Sequence, residues 1–208
     1  MRALAALMTV TAGLVAGVLP AAAADVFGHP PGPPPARERL LLLAAAAGPA
    51  AGDTSIGRYS RIQLRRWVRT GTRVTRFDSE RWRAADGSGR LAERRLDPPG
   101  TAATRTDFPP GGLPLRPAGP GGDPAAVVTS LLDMIGIRYL DRAERAAVLR
   151  TVAGLPGLAV AGRTFTLPAG EGRLALDVDP ATGEIVAWQY DDAVRVEVLR
   201  RDRVPDLS

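Results

Sequence analysis

Side chains that carry nucleophilic or metal chemistry are almost absent from this sequence. Among 208 residues there is no Cys and a single His. That residue, His29, begins a run of prolines that ends at Pro35. Serine and cysteine nucleophiles usually need a neighbouring histidine base, and common zinc sites need several His or Cys ligands. We therefore predict no catalytic triad, no metal site and no bound cofactor.

Two pairs of carboxylates are the remaining candidates for chemistry. Asp78 and Glu80 are separated by one residue in a predicted strand, as are Asp177 and Asp179 in another. Such spacing places both side chains of a pair on one face, where they could perform acid–base work, as in a glycosidase, or bind Ca²⁺. Arginines surround the first pair and Asp179 opens a turn sequence, which favours surface ion pairs and a hairpin. We accordingly predict that the protein is not an enzyme.

Three tryptophans, Trp67, Trp82 and Trp188, all fall in predicted strands. Aromatic residues in strands usually belong to the core. A concave sheet that faces two apolar helices could also enclose an apolar pocket. These three residues are therefore our candidates for the lining of an apolar cavity.

The N-terminus predicts export. After Met1 and Arg2 the chain is uncharged and mostly apolar as far as Ala24. Pro20 ends the apolar stretch, and the four alanines that follow are typical of a signal peptidase site, so we expect cleavage between Ala24 and Asp25. An uncleaved membrane anchor is the alternative. In either case the protein works outside the cytoplasmic membrane, secreted or in the cell envelope.

The charge of the chain favours a mixed surface over a nucleic-acid site. All 27 basic residues are Arg, and with 22 acidic residues the formal net charge is +5. The two signs are interspersed along the chain, which is typical of a solvated surface. We expect no nucleic-acid partner, and membrane contact only if the signal segment stays uncleaved. The oligomeric state stays open.

Composition divides the chain into four parts. We predict a signal peptide at residues 1–24, a Pro-rich linker at 25–35, one domain at 36–203 and a tail at 204–208. Within the domain, half of the residues from Asp97 to Pro124 are Pro or Gly. We expect a flexible loop at 97–123.

The first half of the domain reads as one helix followed by strands. We predict a helix at Ala36–Ala47 and strands at Gly57–Arg69, Arg73–Ala84 and Arg90–Leu96. Short turns separate these strands, and parallel pairing would need long crossovers. They should therefore form an antiparallel meander.

Two helices and a second set of strands follow. The first helix should start at Pro124, capped by Asp123, and stop at Gly136 in a left-handed conformation. The second should start at Asp141, with Glu144 completing a capping box, and run to Gly154. The later strands are expected at Leu158–Leu167, Arg173–Asp179, Glu184–Tyr190 and from Val194 toward Arg201. The whole is an α+β domain: a curved antiparallel sheet (meander, two helices, meander) packed against helices.

Several short motifs resemble an uncharacterised family of actinobacterial envelope proteins. The motifs are Leu42–Ala47, Gly57-Arg58-Tyr59, Arg81-Trp82 with Asp86–Arg90, and Arg145–Arg150 leading into Ala153–Leu158. Members of that family are usually membrane-anchored, and their genes often lie beside those for extracytoplasmic-function sigma factors. The order of elements is also distantly similar to the lipoprotein-carrier and sigma-regulator superfamily, whose half-barrel sheet wraps helices around an apolar cavity. Family members usually have a cytoplasmic stretch before the membrane helix, whereas here only Arg2 precedes the apolar run.

Two functions follow as expectations. The first is a non-enzymatic envelope accessory domain that acts as a sensor or regulatory partner by binding another envelope protein. This expectation follows from the resemblance together with the missing catalytic residues. The alternative is a carrier or sink for an apolar ligand such as a lipid, held around the three tryptophans.

Overall fold

The protein is built on one antiparallel sheet with helices packed against it. The computed structural model describes residues 34–113 and 124–207. Within these ranges the strands are β1 (Tyr59–Thr70), β2 (Arg73–Ala84), β3 (Gly89–Arg95), β4 (Thr104–Phe108), β5 (Ala159–Ala161), β6 (Thr164–Ala169), β7 (Gly172–Val178), β8 (Ile185–Tyr190) and β9 (Val194–Val204). The α-helices are α1 (Ala36–Ala46), α2 (Pro124–Ile137) and α3 (Arg142–Ala153), and Ala51–Thr54 form a short 3₁₀ turn. The predicted α+β class is confirmed.

The strand order shows two meanders joined edge to edge. It runs β4-β3-β2-β1-β9-β8-β7-β6-β5, with every neighbouring pair antiparallel. We call β1–β4 the N-terminal meander and β5–β9 the C-terminal meander. The first and last strands close the gap between them, because Tyr59 pairs with Val204 and Val68 with Val194. In chain order, α1 precedes the N-terminal meander, and α2 and α3 lie between the two meanders.

The predicted capping of α3 is confirmed. The Glu144 amide donates to Asp141 Oδ1 at 2.9 Å, and the Asp141 amide donates to Glu144 Oε2 at 3.0 Å. The first turn of a helix has free amides, and this reciprocal pair satisfies two donors at its start.

Two predictions of strand positions are wrong, one for a strand and one for a loop. The stretch predicted as one strand, Leu158–Leu167, is the hairpin of β5 and β6, which reverses at Gly162 with a φ of +60°. The loop predicted at residues 97–123 contains β4, which pairs with β3. Four of the five residues of β4 are exposed, so this edge strand has no hydrophobic alternation by which to recognise it. Residues 114–123, like residues 1–33 with the predicted signal peptide, lie outside the described residues.

The predicted left-handed stop at Gly136 is also wrong. This glycine is inside α2 and is not among the residues with positive φ. Its role is steric, because a Cβ there would lie 3.2 Å from Arg81 Nη1. Arg81 uses the space to donate to the Gly136 carbonyl at 3.0 Å.

The hydrophobic core lies between the helices and the C-terminal meander. Its strand side chains include Phe165, Leu167, Leu174 and Leu176, and its helix side chains include Leu40, Ile135 and Leu149. An apolar void between the helices and these strands measures only about 10 Å³. The interior is therefore filled by side chains.

Arg145 ties α3 to the segment before β1 and to the turn between β7 and β8. Its side chain is only 2% exposed, and its guanidinium donates to both carboxylate oxygens of Asp53 at 3.0 and 2.9 Å. It also donates to the carbonyls of Gly48, Leu140 and Thr182. A buried charge with every donor engaged stabilises the arrangement around it.

The partners of Arg145 carry shifted pKa values. The hydrogen bond from Arg145 holds the pKa of Asp53 well below its usual range. Tyr139 donates its hydroxyl proton to Asp53, and burial together with that carboxylate raises the pKa of Tyr139. The cluster is therefore anionic at Asp53 and neutral at Tyr139 near neutral pH.

Candidate functional site

The two faces of the N-terminal meander differ in what covers them. Residues Ser60, Ile62 and Leu64 of β1 point to the side on which the helices pack, which we call the helix-facing side. The alternate residues of β1 and the residues paired with them form the other side, which we call the outer face. It includes Arg61, Gln63, Arg65, Trp67, Arg76, Asp78, Glu80, Trp82, Arg90, Ala92 and Arg94.

A groove of about 510 Å³ runs along the outer face. Its walls come from β1, β2 and β3, from a bulge in β9 and from the end of the chain. The lining includes Gln63, Asp78, Glu80, Trp82, Arg90, Ala92, Arg94, Arg105, Leu199 and Leu207. Both signs of charge and several apolar side chains thus meet in one cleft.

Trp82 supplies the apolar floor of this groove. The residue is 5% exposed, and its register partners on the outer face are Arg61 and Arg90. The indole Nε1–H is buried and has no hydrogen-bond partner. Buried donors are nearly always satisfied in proteins, so a donor left over beside a groove suggests a ligand or a missing partner.

Ion pairs hold the outer-face side chains in place. Arg61 donates to both carboxylate oxygens of Asp202 at 2.9 and 2.6 Å. This hydrogen bond is the main reason that the pKa of Asp202 is lowered and that of Arg61 is raised. Farther along β1, Arg65 donates to both carboxylate oxygens of Asp78 at 2.8 and 3.1 Å. Bidentate pairs of this kind fix the orientation of both side chains.

Leu207, near the C-terminal end of the described residues, contributes to the groove. Val204 pairs with Tyr59 on β1, and three residues later the Leu207 carbonyl accepts a hydrogen bond from Arg90 Nη1 on β3 at 2.8 Å. Arg90 thus holds a backbone carbonyl in the groove whose floor is Trp82. Hydrogen bonds to backbone groups are a recurring part of peptide recognition by proteins.

The carboxylates of the first predicted pair each accept a hydrogen bond from a neighbouring side chain on β1. Asp78 and Glu80 share the outer face, as expected from their spacing. Arg65 neutralises Asp78, and Gln63 Nε2 donates to Glu80 Oε1 at 3.1 Å. Both are therefore part of the groove wall.

The second carboxylate pair serves the hairpin between β7 and β8. The Ala181 amide donates to Asp179 Oδ1 at 2.8 Å, and Gly183 has a φ of +71°. Asp177 accepts a 2.5 Å hydrogen bond from the Thr164 hydroxyl. The predicted turn at Asp179 is confirmed.

The three candidate tryptophans do not line one cavity. Trp67 and Trp82 belong to the outer face, whereas Trp188 pairs with Val196 on the helix-facing side and packs between two groups of core residues. The sheet itself separates the first two from the third. The void between the helices and the C-terminal meander measures only about 10 Å³, which is too small for a lipid chain.

Other features expected to bind a metal or a membrane can be placed only in part. Among the described residues no group of three or more His, Cys, Asp or Glu side chains could hold a metal ion. No helix in the described ranges is long and apolar enough to cross a membrane. His29 and the predicted cleavage site at Ala24 and Asp25 lie outside the described residues.

The groove was not recognisable in the sequence. Arg90 and Leu207 are 117 residues apart, and the pairing of β1 with β9 is what brings them together. The only local signal is the alternation of charged residues with Trp82 along β2. Comparison with known proteins gave no matching family model, no matching curated protein and no matching solved structure.

Proposed function

We propose that this protein is an exported, non-enzymatic accessory domain of the cell envelope that binds an extended segment of another protein in the outer-face groove. The observation that carries this proposal is the groove itself, whose floor is Trp82 and in which Arg90 holds the backbone carbonyl of Leu207. Its envelope location is supported by the N-terminal apolar stretch with its run of alanines and by the resemblance given above.

The chemistry of the groove favours a polypeptide as the occupant. Leu207 shows that Arg90 can donate to a backbone carbonyl there, at 2.8 Å. Positive and negative side chains line the same cleft, which suits a partner segment with charges of both signs and an apolar residue over Trp82.

Two observations argue against the other functions considered. The candidate carboxylates on the outer face are engaged by Arg65 and Gln63, so neither is placed as a free acid or base. The void between the helices and the C-terminal meander measures about 10 Å³, whereas a lipid carrier needs a cavity of roughly 300 Å³ or more.

Site-specific photocrosslinking in the source organism tests this proposal. A photoreactive amino acid replaces Ala92 in the groove, and a matched protein carries it at Ala175. Ala175 also belongs to the outer face but to the C-terminal meander, where it pairs with Gln189. We expect one adduct of defined mass from position 92 and none from position 175.

A variant separates specific binding from chance contact. Arg90→Ala removes the donor that holds the Leu207 carbonyl, and it should change the yield of the position-92 adduct at least severalfold. Absence of any adduct from position 92, or the same set of adducts from both positions, would contradict protein binding in the groove.

A further inference from the structure

A second cavity lies on the opposite, helix-facing side of the sheet, near the start of β1. Its volume is about 250 Å³. Four arginines, a serine and a tyrosine contribute to its lining: Arg58, Arg83, Arg138, Arg203, Ser60 and Tyr139. We call this cavity the arginine pocket.

The register of three neighbouring strands builds the floor of the arginine pocket. Ser60 on β1 pairs with Arg83 on β2 and with Arg203 on β9. Directly opposed residues in a sheet share one face, so the two arginines flank Ser60. Because the serine is small, the space between the two long side chains stays open.

The segment after α2 forms the opposite wall. Arg138 and Tyr139 follow the last residue of that helix. The hydroxyl of Tyr139 is fixed by Asp53, and the guanidinium carbon of Arg203 lies 5.6 Å from the tyrosine ring centroid. A cation over an aromatic face at this distance is attracted to it, so the ring orients Arg203 at the pocket.

Among the described residues, two of the four arginines of the pocket have a carboxylate partner. Arg138 is paired with Glu144, and Arg58 lies 3.4 Å from Asp86 in a largely exposed pair. Arg83 donates instead to two backbone carbonyls, those of Leu113 at 2.9 Å and Ala84 at 3.2 Å. Among the described residues, no carboxylate contacts the guanidinium of Arg83 or Arg203. Four cations thus face one space with two anions nearby.

The surroundings of the pocket lower the pKa of one arginine, and another arginine has a hydrogen-bond donor without a partner. Burial and the nearby charge of Arg138 lower the pKa of Arg83. Arg138 also has a buried Nε–H without a hydrogen-bond partner. An anion in the pocket would relieve the repulsion and could accept hydrogen bonds from several guanidinium groups.

We propose that the arginine pocket binds a phosphate group, either as inorganic phosphate or as the terminal phosphomonoester of a larger molecule. A phosphomonoester carries about −1.5 to −2 charges near neutral pH, which matches the two unbalanced arginines. Guanidinium forks fit pairs of phosphate oxygens better than any other side chain does. The arginine pocket is on the opposite side of the sheet from the outer-face groove. This proposal can therefore be tested independently of the proposed function.

Calorimetric titration of the purified protein with inorganic phosphate at constant ionic strength tests the pocket. Arg203→Gln and Arg83→Gln should each weaken binding about tenfold or more, because each removes a charge-assisted donor. Arg73→Gln, at an exposed position where β2 begins, removes the same charge elsewhere and should bind as the wild type does. Circular dichroism shows whether each variant is folded, and Arg203 is the safer position because it is exposed.

Vesicle sedimentation distinguishes the two sources of phosphate. Phosphatidylcholine vesicles with phosphatidic acid offer a phosphomonoester headgroup, and vesicles without it do not. Loss of sedimentation in Arg203→Gln but not in Arg73→Gln identifies the headgroup as ligand. Equal sedimentation of these two variants, with phosphate binding weakened in Arg203→Gln but not in Arg73→Gln, identifies a small soluble phosphate. Failure of the wild type to bind phosphate, or equal weakening in all three variants, overturns the proposal.

Discussion

The two meanders of the sheet present opposite chemistries to the helices. In the C-terminal meander the helix-facing residues are apolar and buried, among them Phe165, Leu167, Leu174 and Leu176. In the N-terminal meander the corresponding positions include Arg66, Ser79, Arg81 and Arg83 beside the buried Ile62 and Leu64. One continuous sheet therefore carries a hydrophobic core under one half and a layer rich in arginine under the other.

The end of α2 shows how the layer rich in arginine is satisfied. Arg81 donates to the Gly136 carbonyl at 3.0 Å, and Arg201 donates to the Ile135 carbonyl at 3.4 Å. The last carbonyls of a helix lack partners within the helix and attract cations. Burial lowers the pKa of Arg201 to about 10, so it is still protonated near neutral pH.

The difference between the meanders assigns stability and binding to separate regions. Apolar burial, the dominant favourable term in folding, is concentrated in the C-terminal meander. Both proposed sites, the outer-face groove and the arginine pocket, lie on the N-terminal meander. Substitutions in the two halves should accordingly act on different measurements.

The largest expected effect is at Arg145, which joins the core to the segment before β1. Arg145→Ala leaves the Asp53 carboxylate without its cation and should lower the free energy of unfolding by about 4 kcal/mol. Chemical denaturation measures the loss. The matched control is Arg142→Ala, at an exposed neighbouring position, with an expected change within about 0.5 kcal/mol. Similar losses in both variants would show that Arg145 is not the link between these elements.

Next in size is the effect of emptying the core of the C-terminal meander. Leu167 is 1% exposed, and Leu167→Ala should lower the free energy of unfolding by about 3 kcal/mol, through lost burial and a cavity. Leu42 on α1 is 54% exposed, and Leu42→Ala should cost no more than about 0.5 kcal/mol. Denaturant titration compares the two. If Leu42→Ala cost as much as Leu167→Ala, the assignment of the core would be wrong.

A smaller effect is expected from ion pairs on the outer face. A double-mutant cycle on Arg61→Ala and Asp202→Ala should give a coupling of about 1.5 kcal/mol, because that pair is bidentate and largely buried. The pair of Arg195 and Glu197 is exposed on both sides and should give about 0.3 kcal/mol in the same cycle. Equal couplings would mean that burial does not distinguish these pairs.

The last expected effect is on the pH dependence of stability. Because the pKa of Asp53 is lowered in the folded state, its contribution is complete above the unfolded value, about 3.9. The contribution is lost as pH falls from there toward the folded value. Asp53→Asn should reduce the slope of unfolding free energy between pH 4 and pH 2, by at most about 1.4 kcal/mol per pH unit. An unchanged slope in acid denaturation experiments would contradict the proposed role of Arg145 in holding this carboxylate charged.

Much of the fold was predictable where local signals agree. The apolar alternation and turn residues around β7 and β8 placed that hairpin correctly, and the spacing of Asp141 and Glu144 placed the start of α3. Prediction failed at β4, an exposed edge strand with no apolar alternation. It also failed at Gly136, whose packing against Arg81 was not visible from neighbouring residues.

The candidate sites were less predictable than the fold. Strand alternation alone established that Asp78 and Glu80 share a face, since the side-chain period of a strand is local. It could not reveal that Arg65 and Gln63 lie opposite them, because that depends on the register of β1 against β2. The same limit applied to the tryptophans, which were expected around one cavity and lie on two sides of the sheet.

What the sequence by itself determined was the local inventory: the elements, their turns and caps, and the scarcity of catalytic side chains in a chain with one His and no Cys. Only the tertiary structure decided which charges meet. The pairing of β1 with β9 brings Arg61 to Asp202 and Ser60 to Arg203 across more than 140 positions. Periodicity within a strand fixes which side a residue points to, but pairing between distant strands fixes its neighbours, and the neighbours make the groove and the arginine pocket.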